Sequence, residues 1–277
     1  MRWRRALTAL REPFVLLSAL WLLLVLAAAL LPHVVWPGDA FTIDMSARLG
    51  PPSLEHPFGT DEYGRDLLAR VVLGTRYSLG TSVVMVLAAC LVGMVVGAAS
   101  AWVGGWVDFV VMRLVDLFMS FPAMILAIAL VSVLGASLTN AALAILLIWW
   151  GQYARMMRSE VLRTRGELYV EGALALGSRS TRVLLKHIVP NTFYPVAVKA
   201  TIDIGVAILL IGGLSFIGLA AQPPLPEWGL LISAGRRYLL SYWWYAVMPG
   251  AVMFLTVVAL NIFSDSVLGR LDPRTRW

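Results

Sequence analysis

The chain has 277 residues, of which 60% are hydrophobic and only 14% charged. That leaves too little polar surface to cover a soluble globule of this size, so the composition points to a bilayer. A formal charge of +6 could suit nucleic acid, but the basic residues fall between long apolar runs instead of forming one polar face, which argues against nucleic acid as a partner.

The first apolar run, Phe14 to Leu31, follows the basic start MRWRR. At roughly 18 residues it exceeds a usual signal h-region and matches a ~30 Å hydrocarbon core. It reads as a retained first helix, although Ala27, Ala28 and Ala29 leave cleavage open. Five further segments complete the pattern: Leu79 to Ala101, Phe109 to Leu134, Thr139 to Ala154, Thr192 to Leu214 and Tyr245 to Leu268. Lipid offers backbone amides no partners and none of the segments alternates with period two, so each is expected to be a helix. The expected fold is an all-α polytopic membrane protein with six spans. Pro122 is expected to kink the third, and only Gly135, Ser137 and Asn140 mark a turn before the fourth.

Arginine placement sets the orientation. Arg2, Arg4, Arg5 and Arg11 precede the first span; Arg155, Arg158, Arg163, Arg165, Arg179, Arg182 and Lys186 crowd the loop after the fourth; Arg270, Arg274 and Arg276 close the chain. By the positive-inside rule all three groups, and both termini, are expected in the cytoplasm. The organisation read from this is a first helix and outer loop over 1–77, a core over 78–268 with a cytoplasmic loop at 155–191, and a cytoplasmic tail over 269–277. The outer segments 33–77 and 218–244 carry six Lys or Arg between them and many prolines, and read as ordered loops. Trp228 is expected at the membrane interface, and a short helix after GTDEYGRD is expected to press Leu67, Leu68, Val71 and Val72 on that interface while Arg65, Arg70 and Arg76 face headgroups or water.

Within the spans, Lys199 and Asp203 stand i, i+4 and Arg113 and Asp116 stand i, i+3, so each couple can neutralise itself or line a pathway. No catalytic or metal site is indicated. Neither lysine lies in GxxxxGK[ST], so the chain holds no P-loop for ATP; His33, His56 and His187 are widely separated; Ser215 in GLSFIG departs from GxSxG; and Cys90 reads as a buried hydrophobe.

The most informative stretch is Tyr169 to Asn191, YVEGALALGSRSTRVLLKHIVPN. Val170, Ala173, Leu174, Gly177, Thr181, Leu184 and Ile188 recur on one face and Glu171, Ser178, Arg179, Arg182 and Lys186 on another, as in an amphipathic surface helix. Gly172 and Gly177 weaken it and permit a turn. The stretch resembles the EAA loop of permeases of binding-protein-dependent ABC importers: Glu171, Ala173, Gly177 and Pro190 fall in register, while Gly172, His187 and Val189 depart from the pattern. HPFGTDEYGRDLLARVVLGTRYSL, GLSFIGLAAQPPLPEWGLLI and NIFSDSVLGRLDPR are similar to the C-type permeases of dipeptide, oligopeptide and nickel importers.

This resemblance implies one half of a pathway in a bacterial inner membrane, paired with a homologous B-type permease, two ATPase subunits and an extracytoplasmic solute-binding protein. It implies no cofactor on this chain, with ATP and Mg held by the ATPases. Glu171, Gly172, Ala173, Gly177, Arg179, Arg182, His187 and Pro190 would form the coupling loop. The expected cargo is a di- or oligopeptide, with nickel or a nickel chelate as the competitor. A secondary transporter or a purely structural subunit would leave the EAA-like loop unexplained.

Overall fold

The computed structural model describes residues 12–268. The basic start, the tail 269–277 and the side chains of Leu174, Asn191, Phe193, Tyr194, Val267 and Leu268 lie outside what it describes. Among the described residues the regular structure is helical apart from one isolated bridge between Thr60 and Asp66.

Helix α1, Pro13–Leu30, opens with proline in its first turn, where no amide partner is needed. The four-residue α2, Pro32–Val35, leads into an outer segment that returns at Asp66, whose side chain accepts from Leu68 N at 3.0 Å and so caps α3, Leu67–Val103. The short interfacial helix and the second span are therefore one helix of 37 residues. No proline or uncapped polar break falls between Arg65 and Gly104 to stop it.

The third predicted span is two helices. α4, Gly105–Met119, and α5, Ala123–Leu134, meet at 88° around Ser120 to Pro122. Proline supplies no amide and disfavours helical backbone in the residue before it, so the chain breaks into two helices where a kink within one was expected. The turn into α6, Leu138–Arg165, has the anticipated chemistry: Ser137 Oγ accepts from Asn140 N at 3.1 Å, and Asn140 Nδ2 donates to the carbonyls of Leu134 and Gly135 at 2.9 Å each. These bonds satisfy orphan groups at both helix ends.

After the loop that follows α6, α9 runs Val189–Phe216, α10 covers Trp228–Gly235 and α11 covers Trp244–Phe263. Among the described residues four helices are long and apolar enough to cross a membrane: α1, α3, α9 over Pro195–Phe216, and α11 continued to Ser266; the bent α4–α5 pair makes a fifth if it counts as one span. The span predicted over Thr139–Ala154 lies in α6, which is 28 residues long but is diluted by Thr139, Asn140 and Gln152 and is not among the four.

The core forms along the α3–α6 seam, where Gly93 and Gly97 let two backbones meet. A Cβ built on Gly93 would lie 2.5 Å from Trp150 O, and one on Gly97 would lie 2.2 Å from Ala154 O. This is the small-xxx-small device of membrane helix pairs. Around it Met85, Ala89, Ile145, Ile148 and Met157 are almost wholly buried. Gly97→Leu is expected to cost about 3 kcal/mol or more, because rigid backbone, not a side chain, must move. A thermal melt in detergent checks this, with Gly172→Ala, which meets no atom within 4 Å, expected to melt like the parent.

Candidate functional site

The loop expected on the inner side is built as helix, turn, helix. α7, Leu168–Ala175, ends in a left-handed residue, Gly177 at φ +80°, and Ser178 N reaches back to Ala173 O at 3.1 Å in a Schellman-type closure. The chain then resumes in α8, Ser180–Val183, passes through a π-helical turn over Leu184–Ile188 and enters α9, with Pro190 in its first turn. The expected single amphipathic helix is thus divided at Gly177, the position where a turn was allowed.

Three anchors hold this loop against the bundle. Val170, Val183 and Ile188 are completely buried in the main core. Trp102, near the end of α3, donates from Nε1 to Ser180 Oγ at 2.8 Å, and the Arg165 guanidinium lies 5.2 Å over the same indole. Outward from these anchors project Leu168 and Leu176, 85% and 89% exposed, with Glu171, Gly172, Gly177, Arg179 and Arg182 exposed alongside. Ala173 is half-buried against the core, His187 is half-buried and Pro190 is exposed. Large apolar side chains fully open beside cations form a surface that another protein can cover, not a catalytic pocket.

The charged couples fall in two separate places. Lys199 Nζ binds both oxygens of Asp203, at 3.0 and 2.7 Å, and Tyr153 OH donates to Asp203 at 2.6 Å. The pair is therefore a trio linking α6 to α9. Arg113 lies 3.5 Å from Asp116, which also pairs with Arg155, and these side chains are largely exposed. Nearby, Arg158 binds Asp108 through two 2.6 Å bonds in a bidentate fork. Tyr153 and Asp108 were not found from the sequence, since each partner stands 50 residues away and no local period links them.

At the opposite end of α3 the two predicted outer segments pack together. Arg70 is only 3% exposed, lies 3.4 Å from Asp61 and donates to Ala40 O at 3.0 Å, so it does not face headgroups as expected. Asp61 also receives Arg65 at 2.7 Å. The neighbouring Glu62 carboxyl is pushed up, first by burial and then by the Asp61 charge. Trp228 is wholly buried, its Nε1 donating to Val71 O at 3.0 Å, and this corrects the interfacial placement. The helix beneath it supplies the reason: Glu227, itself buried, caps α10 through Leu230 N at 2.9 Å and accepts from Ser78 Oγ at 3.0 Å, which fixes Trp228 inward. Among the described residues no three His, Cys, Asp or Glu side chains gather as a metal site.

Residues 89–277 match the family described as the binding-protein-dependent transport system inner membrane component. A probable D,D-dipeptide transport system permease protein of Escherichia coli K12 is 40% identical over 263 residues, covering 95% of this chain and 88% of the relative. A dipeptide transport system permease protein of Alkalihalophilus pseudofirmus is 36% identical, covering 99% and 90%. A nickel transport system permease protein of Escherichia coli K12 is 38% identical, covering 92% of each. With similarity running across the inner loop, the core seam and the outer segments alike, the chain belongs to the binding-protein-dependent transport system inner membrane components.

Proposed function

We propose that this chain carries di- or oligopeptides across the bacterial inner membrane and receives the driving motion through the loop Leu168–Pro190. As a member of its family it is a multi-pass membrane permease subunit of an ABC importer and not an enzyme; ATP hydrolysis belongs to partner subunits. In the proposed assembly it pairs with a homologous B-type permease, two ATPases that bind ATP and Mg, and an extracytoplasmic solute-binding protein. Counting the bent α4–α5 pair and α6 as one crossing each gives six crossings, with both termini in the cytoplasm by the positive-inside rule.

The observation that carries the coupling reading is the inner loop itself: exposed Leu168, Leu176 and Glu171 projecting from a turn whose buried anchors touch both α3 and the core. A push there reaches the bundle through packed side chains, not through a slack linker. Peptide cargo is supported by the relatives named for dipeptides, and nickel is the second reading because a relative named for nickel is 38% identical.

The test is uptake into proteoliposomes holding the complete importer, with labelled dipeptide and with nickel in parallel. Dipeptide accumulation that needs ATP is the expected result; nickel uptake without dipeptide uptake would replace the reading with its alternative. Purification of the chain without a nucleotide-binding subunit would count against the coupling role.

A further inference from the structure

A groove of about 440 Å³ separates α3 from α6 on the face away from the inner loop, lined by Arg76, Tyr77, Thr81, Met85, Thr139 and Leu146 among others. Its volume falls within the ~300–1,000 Å³ of clefts that hold small molecules. The small residues Gly80, Ala88 and Ala142 leave the space between the walls unfilled. The polar groups are hydroxyls and a single guanidinium, and no carboxylate lines the space.

We infer that this groove is the chain's share of the solute pathway and that Arg76 receives the free carboxylate of a passing peptide; this rests on the peptide reading above. Three observations converge. Arg76 is exposed and, among the described residues, has no ion-pair partner, whereas Arg65 and Arg70 nearby are both committed to Asp61. From Arg76 to the inner end of α3 at Val103 the helix rises about 40 Å, at ~1.5 Å per residue. That exceeds a hydrocarbon core of ~30 Å, so the guanidinium stands at the outer rim, where an arriving solute is still hydrated. A guanidinium with no competing carboxylate offers paired N–H donors that match a carboxylate in geometry and charge. Tyr77, Thr81 and Thr139 supply hydroxyls that can accompany the peptide backbone past the rim.

The experiment uses the complete importer in proteoliposomes, with Thr81→Cys introduced on a Cys90→Ala background. The thiol is treated with an anionic sulfonate thiosulfonate reagent and with its trimethylammonium counterpart. Faster modification by the anionic reagent is expected, with the advantage abolished by Arg76→Gln and kept by Arg76→Lys. Transported dipeptide should slow the modification, and Arg76→Gln should raise the KM for dipeptide uptake about tenfold, the scale of one lost charge-assisted hydrogen bond.

Failure of both reagents to react would mean that a partner chain covers the groove, and would overturn the inference. Loss of the anionic advantage in phosphatidylglycerol vesicles but not in phosphatidylcholine vesicles would assign Arg76 to lipid phosphate instead, and would overturn it equally. Should the parent importer move no dipeptide at all, the peptide reading itself fails; reagent selectivity reports on the groove independently of that result.

Discussion

Asp203→Leu, made while Lys199 remains, is expected to destabilise the folded bundle by about 3–5 kcal/mol, the cost of stranding a charge in a low-dielectric interior. Asp203 is 9% exposed and accepts three bonds, two from Lys199 and one from Tyr153, so its loss leaves the ammonium, among the described residues, only the Tyr153 ring, 5.3 Å away. Deleting both charges reverses the sign of the argument. Lys199→Met with Asp203→Leu is expected to recover most of the loss, since a buried pair contributes little over a well-packed apolar replacement. The residual deficit is Tyr153, left without an acceptor at about 1–3 kcal/mol, and adding Tyr153→Phe should remove it. Thermal unfolding of the four proteins in one detergent decides the matter. Equal melting of Asp203→Leu and the triple variant would show that the trio does not hold α6 to α9.

Gly177→Val is expected to insert and fold normally yet lower ATP-driven uptake at least tenfold while hydrolysis continues. The reason differs from the crowding that a tight turn suggests. No atom lies within 4 Å of a Cβ at Gly177, so the penalty is backbone strain: a β-branched residue at φ +80° costs on the order of 1–3 kcal/mol and releases it by reopening the turn. Because the position is exposed and its neighbours Leu176 and Arg179 are too, the relaxation displaces the projecting surface and spares the core. Gly177→Asn, tolerated better in left-handed backbone, should be milder. Glu171→Ala should act in the same direction, removing an exposed carboxylate without altering the turn. Uptake and phosphate release measured together provide the check, and wild-type uptake in both Gly177→Val and Glu171→Ala would defeat the coupling role.

What could be read from residues alone followed a simple division. Local signals worked: the apolar runs located the helices, Gly135, Ser137 and Asn140 marked a real turn, and the glycine at 177 sits where the loop bends. Contacts over distance did not announce themselves. Tyr153 looks like any aromatic in an apolar run until α9 brings Asp203 beside it, and Arg70 looks like an interfacial cation until Asp61 and Ala40 fold over it. Trp228 misled for the same reason, as an indole beside prolines suits an interface until Ser78 and Glu227 turn it inward. One signal was present and passed over: the spacing of Gly93 and Gly97 marks the α3–α6 seam without any coordinates. The break at Pro122 was visible as a proline, but the 88° between the two helices was not.

The unbroken length of α3 has a mechanical consequence. Its 37 residues make a rod of about 55 Å, nearly twice the ~30 Å hydrocarbon thickness, with one end touching Ser180 and the other packed among Asp61 and Trp228. A rod pivoting near its base magnifies whatever reaches it: a tilt of about 5° swings the far end through about 5 Å at this length. Under the proposed coupling role, gearing of that kind would carry a small nudge at Trp102 and Ser180 to the contacts around Asp61 and Trp228, with no break in α3 to absorb the stroke.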